Sequence, residues 1–288
     1  MKKSRWSSHQ AVYIFSFFCL ALGLLFPGND VSGQSPPKTI SGPAAADNTF
    51  TNTIGQKFVL IPPGNFISGS PTDELGRSSD EGRRQVTISR SFYLQTTEVT
   101  QAQWRAIMDN NPSHFKTCGD DCPVENVSWD DVQAYISRLN AKEGTTKYRL
   151  PTAAEWEYAA RAGATTSFAN GNIKETECGH DPSLDLIGWY CGNSNKSTHP
   201  VARKQANAWG LYDLSGNVWE WCQDWYALYP TDYHLTDPPG PASGSFRIYR
   251  GGSWDSKARY CRSAFRLGNA PGTRSDTVGF RLAIRGRP

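Results

Sequence analysis

The stretch RGGSWDSKARYCRSAFR, residues 250–266, holds the residues best placed for chemistry. Ser256 and Cys261 stand five residues apart beside the Gly251–Gly252 turn, and Ser253 precedes Trp254. Two cysteines at that spacing would look like a catalytic thiol pair. Here one of the two is a hydroxyl, so the pair is incomplete. Cys261 is left either as a lone reactive thiol or as half of a disulfide.

Which of these applies depends on the compartment. Lys2, Lys3 and Arg5 precede an apolar run, Ala11 to Phe26, that ends at Pro27-Gly28 and is followed by Val31-Ser32-Gly33. This is the pattern of a secretory signal, and 1–33 is expected to be removed, with no stable membrane insertion afterwards. The mature protein would be periplasmic or extracellular. Of seven cysteines, Cys19 lies in the apolar run and six remain. An even number in an exported protein points to disulfides, although six cysteines allow fifteen connectivities. Closeness favours Cys118–Cys122 across CGDDC and Cys178–Cys191, which leaves Cys222–Cys261. A metal at CGDDC is the alternative, but no second Cys or His pair of zinc spacing accompanies it. The mature histidines His114, His180, His199 and His234 are scattered, and form no iron-binding cluster.

Removing residues 1–33 leaves 27 basic and 26 acidic residues, a net charge of about +1. No basic field remains to argue for a nucleic-acid partner or an anionic membrane. Residues 34–55 are poor in groups to bury and read as a flexible linker, so the folded domain is expected over 56–288. KFVLIPPGNFISGS reads as two short strands around Pro62-Pro63-Gly64, and RRQVTISRSFYLQTTEVT alternates as strand does. Helices are expected after Thr100, after Ser128 with Asp130 and Asp131 in its first turn, and after Thr152, where Glu155 completes a capping box. Beyond Gly163 the helical period is lost, and a stretch that irregular needs disulfides, aromatic packing or bound calcium as staples. Of the aromatic cluster Trp219, Trp221, Trp225, Tyr226 and Tyr229, most reads as core, with some rings available to line a groove for a peptide or a sugar.

Four stretches occur in a characteristic order: YRLPTAAEWEYAARAG (148–163), NAWGLYDLSGNVWEWCQDWY (207–226), RGGSWDSKARYCRSAFR (250–266) and VGFRLA (278–283). Together they resemble the formylglycine-generating enzyme, or sulfatase-modifying factor, family over nearly the whole mature chain. The resemblance implies an α+β fold of low regular content, similar to C-type lectins. In the oxidases that it resembles, two thiols five residues apart bind Cu(I), and the copper and O2 convert a cysteine of a sulfatase to formylglycine. By position Cys261 matches the second thiol and Ser253 an active-site serine, while Ser256 stands where the first thiol would be; soft thiolates select Cu(I), and a hard, poorly acidic hydroxyl is expected to hold it weakly. YDLSGNVWEW matches the family's calcium loop, which maps onto Asp213, Leu214, Gly216, Val218 and Glu220.

Two functions remain open. One is a binding module for a peptide, protein or sugar, without copper chemistry, because a scaffold does not fix a function. The other is a divergent O2-dependent oxidase modifying a protein or peptide, of the sulfatase-activating type that the resemblance implies.

Overall fold

The computed structural model describes residues 48–228 and 234–286. The expected signal peptide, most of the expected linker, and Tyr229 lie outside these residues. Strands Thr49–Thr51 (β1), Lys57–Ile61 (β2), Gly64–Ser68 (β3), Arg84–Ile88 (β4) and Phe92–Gln95 (β5) come first. Helices Gln101–Met108 (α1) and Trp129–Lys142 (α2), strand Tyr148–Arg149 (β6), and helices Ala153–Arg161 (α3) and Leu184–Ile187 (α4) follow. Then come Trp219–Trp225 (β7), His234–Thr236 (β8), Arg247–Arg250 (β9), Arg266–Asn269 (β10), Val278–Gly279 (β11) and Ala283–Ile284 (β12). The strands form three sheets, ordered β1-β2-β5-β12-β6, β10-β9-β7-β11 and β3-β4-β8. Pairing is antiparallel except for β11 on β7 and β8 on β4. This is an α+β architecture with much irregular chain, as the sequence implied.

The fold begins earlier than Gln56. β1 pairs with β2, and Phe50 stacks on Phe58 with ring centroids 4.9 Å apart. A single aromatic in a Pro-, Ser- and Ala-rich segment is enough to seat a strand, and the bulk composition hid it. The three long helices start where expected. Each has a full capping box, Thr100 with Gln103, Ser128 with Asp131, and Thr152 with Glu155. Two backbone donors at each helix start are thereby satisfied reciprocally.

Burial explains the arrangement. Trp104, Tyr135 and Phe280 join α1 and α2 to the β12 region, with Trp104 and Tyr135 stacked at 5.2 Å. All nine residues of α3 are buried, and Trp156 and Ala159 pack with Leu94, Cys222 and Ile248. A third cluster holds Phe168, Leu184, Ile187, Tyr190 and Cys261.

The staples of the irregular half are partly those expected. Cys118–Cys122 and Cys178–Cys191 are disulfides, with Cα separations of 5.9 and 5.2 Å. Cys222 and Cys261 are not bridged, which corrects the third pairing. They belong to different apolar clusters, so elimination among six cysteines chose a pair that the core keeps apart. Buried arginines take over much of the tying. Glu157 binds Arg161 at 2.9 Å and Arg250 at 3.1 Å, with all three side chains almost fully buried. Arg262 reaches Glu74 and Glu81, each at 2.7 Å, and donates to Gly76 O at 2.7 Å. Burial would push the Glu157 carboxyl up, but Arg161 and Arg250 hold it below the usual range. Charged hydrogen bonds of this kind are about twice as strong as neutral ones.

Candidate functional site

Ser253, Ser256 and Cys261 come together on one turn, and its geometry is set by hydrogen bonds. The Ser253 backbone N donates to Ser256 Oγ at 3.0 Å, and the two hydroxyls lie 2.8 Å apart. Ser253 Oγ also donates to Asp255 Oδ1 at 2.7 Å. Trp254 N donates to Asn217 O at 2.8 Å, Trp254 Nε1 to Asp276 O at 3.1 Å, and Ser194 Oγ to Trp254 O at 2.7 Å. Cys191, one half of a disulfide, donates its N–H to Ser256 O at 3.1 Å. The turn is therefore fastened on four sides, and the Ser256 hydroxyl is engaged within it.

The thiol does not share that polar surrounding. Cys261 is fully buried among Phe168, Leu184 and Ile187. Gly252, at φ +78°, presses its backbone against the sulfur, and a Cβ there would come within 2.5 Å of Cys261 Sγ. Burial pushes the Cys261 thiol up, Asp255 adds to this, and Arg262 offsets only part of it. A reactive thiol needs the opposite, a lowered pKa and some exposure. A Cu(I) dithiol site is not formed by these residues, since one donor is a hydrogen-bonded hydroxyl and the other a buried, protonated thiol. Cys222 is likewise buried with its thiol pushed up.

The loop that maps onto a calcium site is held by buried hydrogen bonds. Glu220 accepts from Arg281 Nε and Nη2, each at 2.7 Å, and from Trp156 Nε1 at 2.7 Å. Asp213 Oδ2 accepts from Ala202 N at 2.7 Å, and its Oδ1 has no partner among the described residues. Burial pushes the Asp213 carboxyl up to about 6. Glu98, which the sequence reading missed, accepts from Asn217 Nδ2 at 3.0 Å and Val218 N at 3.2 Å, and its carboxyl is pushed well up by burial, then by Asp213 and Glu220. Leu214, Gly216 and Val218 shape the turn, and a Cβ on Gly216 would meet Trp189 O at 2.1 Å. Arg281 is thus the counter-ion of Glu220, and no group of three or more His, Cys, Asp or Glu side chains that could hold a metal gathers among the described residues.

A second region emerges along β7. Period-two alternation puts Trp219 and Trp221 in one apolar cluster and Cys222 in another, and a register irregularity between Trp221 and Trp225 lets Asp224 and Trp225 line one cleft. Trp219 and Trp221 are core, as expected. Trp225 is half-buried, with the Arg247 guanidinium 3.5 Å from its ring centroid and 3.8 Å from that of Trp129 on the other side. It lines a cleft of about 450 Å³ with Leu228, Leu235, Pro239, Ile248 and Asp224. Asp224 is buried, its Oδ2 accepts from Ala153 N at the start of α3 at 2.8 Å, and burial pushes its carboxyl up to about 7. The alternation of GNVWEWCQDW was the available signal for Asp224.

Comparison with known proteins agrees with this architecture. Residues 44–286 match the sulfatase-modifying factor enzyme 1-like domain. The chain is 30% identical to a protein called chaperone protein LppX from Paenibacillus barcinonensis, over 75% of this chain and 85% of that one. It is 38% identical to the formylglycine-generating enzyme of Streptomyces coelicolor, over 56% of this chain and 52% of that one. Among solved structures, Treponema denticola variable protein 1 superposes with a TM-score of 0.74 at 33% identity, covering 84% of this chain and 100% of that one. The chain belongs to the sulfatase-modifying factor family, the family that its four motifs pointed to.

Proposed function

We propose that the protein is an exported, ligand-binding member of this family that lacks copper-dependent formylglycine synthesis. The observation that carries the reading is the turn at 253–261. Ser256 gives its hydroxyl to Ser253, and Cys261 is sealed in an apolar cluster under Gly252. The ligand is a peptide, a protein segment or a sugar, for which the cleft beside Trp225 supplies an aromatic ring, apolar walls and the Asp224 carboxyl. Export is supported by two disulfides, which persist in oxidising compartments. Among the described residues no helix is long and apolar enough to cross a membrane.

Competition for Cu(I) against a chromogenic chelator tests the reading. The purified protein is expected to leave the chelator complex intact, and Ser256→Cys to change little, because Cys261 lies in an apolar cluster under Gly252. Tight one-to-one capture of Cu(I) by the unaltered protein would defeat the proposal. The second reading, an oxidase acting on a protein cysteine, draws on the retained Ser253 and Cys261 and on relatives named as formylglycine-generating enzymes. N-terminal sequencing of the exported form tests cleavage near Gly33; an intact Met1 in a membrane fraction would argue for a retained anchor.

A further inference from the structure

A polar cleft of about 520 Å³ lies between the turn joining β4 to β5, the start of α3, and the chain leaving β12. It shares no residue with the turn at 253–261 or with the Trp225 cleft. Arg90, Arg149 and Arg285 reach it from three separate elements, with Ser89, Ser91 and Thr152 between them. The two acids in its wall are already engaged. Glu155 accepts from Arg149 Nη1 and Nη2 at 2.6 and 2.7 Å and from Thr152 N at 2.9 Å. Asp237 accepts from Ser89 N at 2.8 Å and from the Ser89 hydroxyl. Arg149 is thereby committed to Glu155, and its Nε is buried. Arg90 and Arg285 are exposed and make no ion pair or hydrogen bond among the described residues.

We propose that this cleft binds a tetrahedral oxyanion, a sulfate or phosphate group carried by a small polar ligand, held by Arg90 and Arg285. The guanidinium is a planar fork of donors that matches oxyanion geometry. Two of them from separate elements can serve several oxygens of one tetrahedral group, which a single surface arginine cannot. The volume lies in the range of small-molecule sites rather than of protein interfaces. The inference does not depend on the thiol chemistry and goes beyond the function proposed above.

Isothermal titration of the full chain with inorganic sulfate, and separately with inorganic phosphate, tests it. Ionic strength is held constant with sodium chloride so that screening does not change between injections. Saturable one-to-one binding of at least one anion is expected, and the tighter of the two identifies the group on the natural ligand. The double variant Arg90→Ala/Arg285→Ala is expected to bind about tenfold more weakly or worse, equivalent to about 1.4 kcal/mol. Neither side chain holds the fold, so its melting temperature is expected to stay that of the parent. If the double variant is unstable, Arg90→Glu alone must weaken binding. Arg83→Ala, at an exposed arginine outside the cleft, must not. Absence of saturable heat, equal affinity in the cleft variants, or an equal loss in Arg83→Ala would mean an adventitious ion only, and would overturn the proposal.

Discussion

Asp224→Asn should remove one identifiable part of the pH dependence of stability. Asp224 is 5% exposed on β7, and its Oδ2 accepts from Ala153 N at 2.8 Å. Burial raises its carboxyl from 3.8 to about 7. The native state therefore holds this proton more tightly than the unfolded chain. Its stabilising contribution is complete below the unfolded value and is lost as pH rises through about 7. Roughly three pH units at 1.36 kcal/mol each put the loss at about 4 kcal/mol between about pH 4 and about pH 8. Asparagine does not titrate, and its side-chain oxygen can keep the bond from Ala153 N. The assay is urea unfolding of parent and variant at a series of pH values. Asp213 and Glu98 titrate in the same direction and Glu157 in the opposite one, but all three are common to both proteins and largely cancel in the difference. The parent should lose ground to the variant by a few kcal/mol across this window, leaving the variant the more stable at its alkaline end. Parallel curves would refute the assignment of a buried, proton-holding carboxyl to the floor of the Trp225 cleft.

The remaining expectations concern the core and the two metal readings. Thiol labelling without reductant should mark no cysteine in the native protein and both Cys222 and Cys261 after denaturation; a denatured protein with no label would restore the bridge between them. Glu157→Gln leaves Arg161 and Arg250 buried without their shared carboxylate, and should cost about 3–5 kcal/mol in urea unfolding. A cost below about 1 kcal/mol would show that the network does not hold α3 to β9. A calcium chelator should leave the melting temperature unchanged, because Arg281 is the counter-ion of Glu220. A chelator-dependent fall, abolished by Asp213→Ala, would mean that calcium displaces that arginine.

The sequence made different parts of the molecule legible to different degrees. The helix starts were readable because a cap is a local event. Thr152 and Glu155 satisfy each other's backbone donors three residues apart, whatever the rest of the chain does. The disulfides at 118–122 and 178–191 were readable for the same reason, since short loops bring the partners together. Cys222 and Cys261 are separated by 39 residues of sequence, and only the packing that assigns them to different clusters could show that they stay apart. The missed site residues are also non-local. Glu98 lies more than 100 residues from Asn217 and Val218, whose donors it accepts, and Arg281 is 61 residues from Glu220. The motif around Glu220 says nothing of Arg281, the cation that the fold brings to it. The substitution at Ser256 was visible at once, but its consequence needed the structure. The hydroxyl is tied to Ser253, and the remaining thiol lies beneath Gly252.

The most direct test of the central claim is incubation of the purified full chain with copper, oxygen, a thiol reductant and a cysteine-containing sulfatase peptide, followed by mass spectrometry of the peptide. The cysteine is expected to emerge unchanged, with the same result for Ser256→Cys. Copper-dependent, multiple-turnover conversion of that cysteine to formylglycine by the unaltered protein would contradict it.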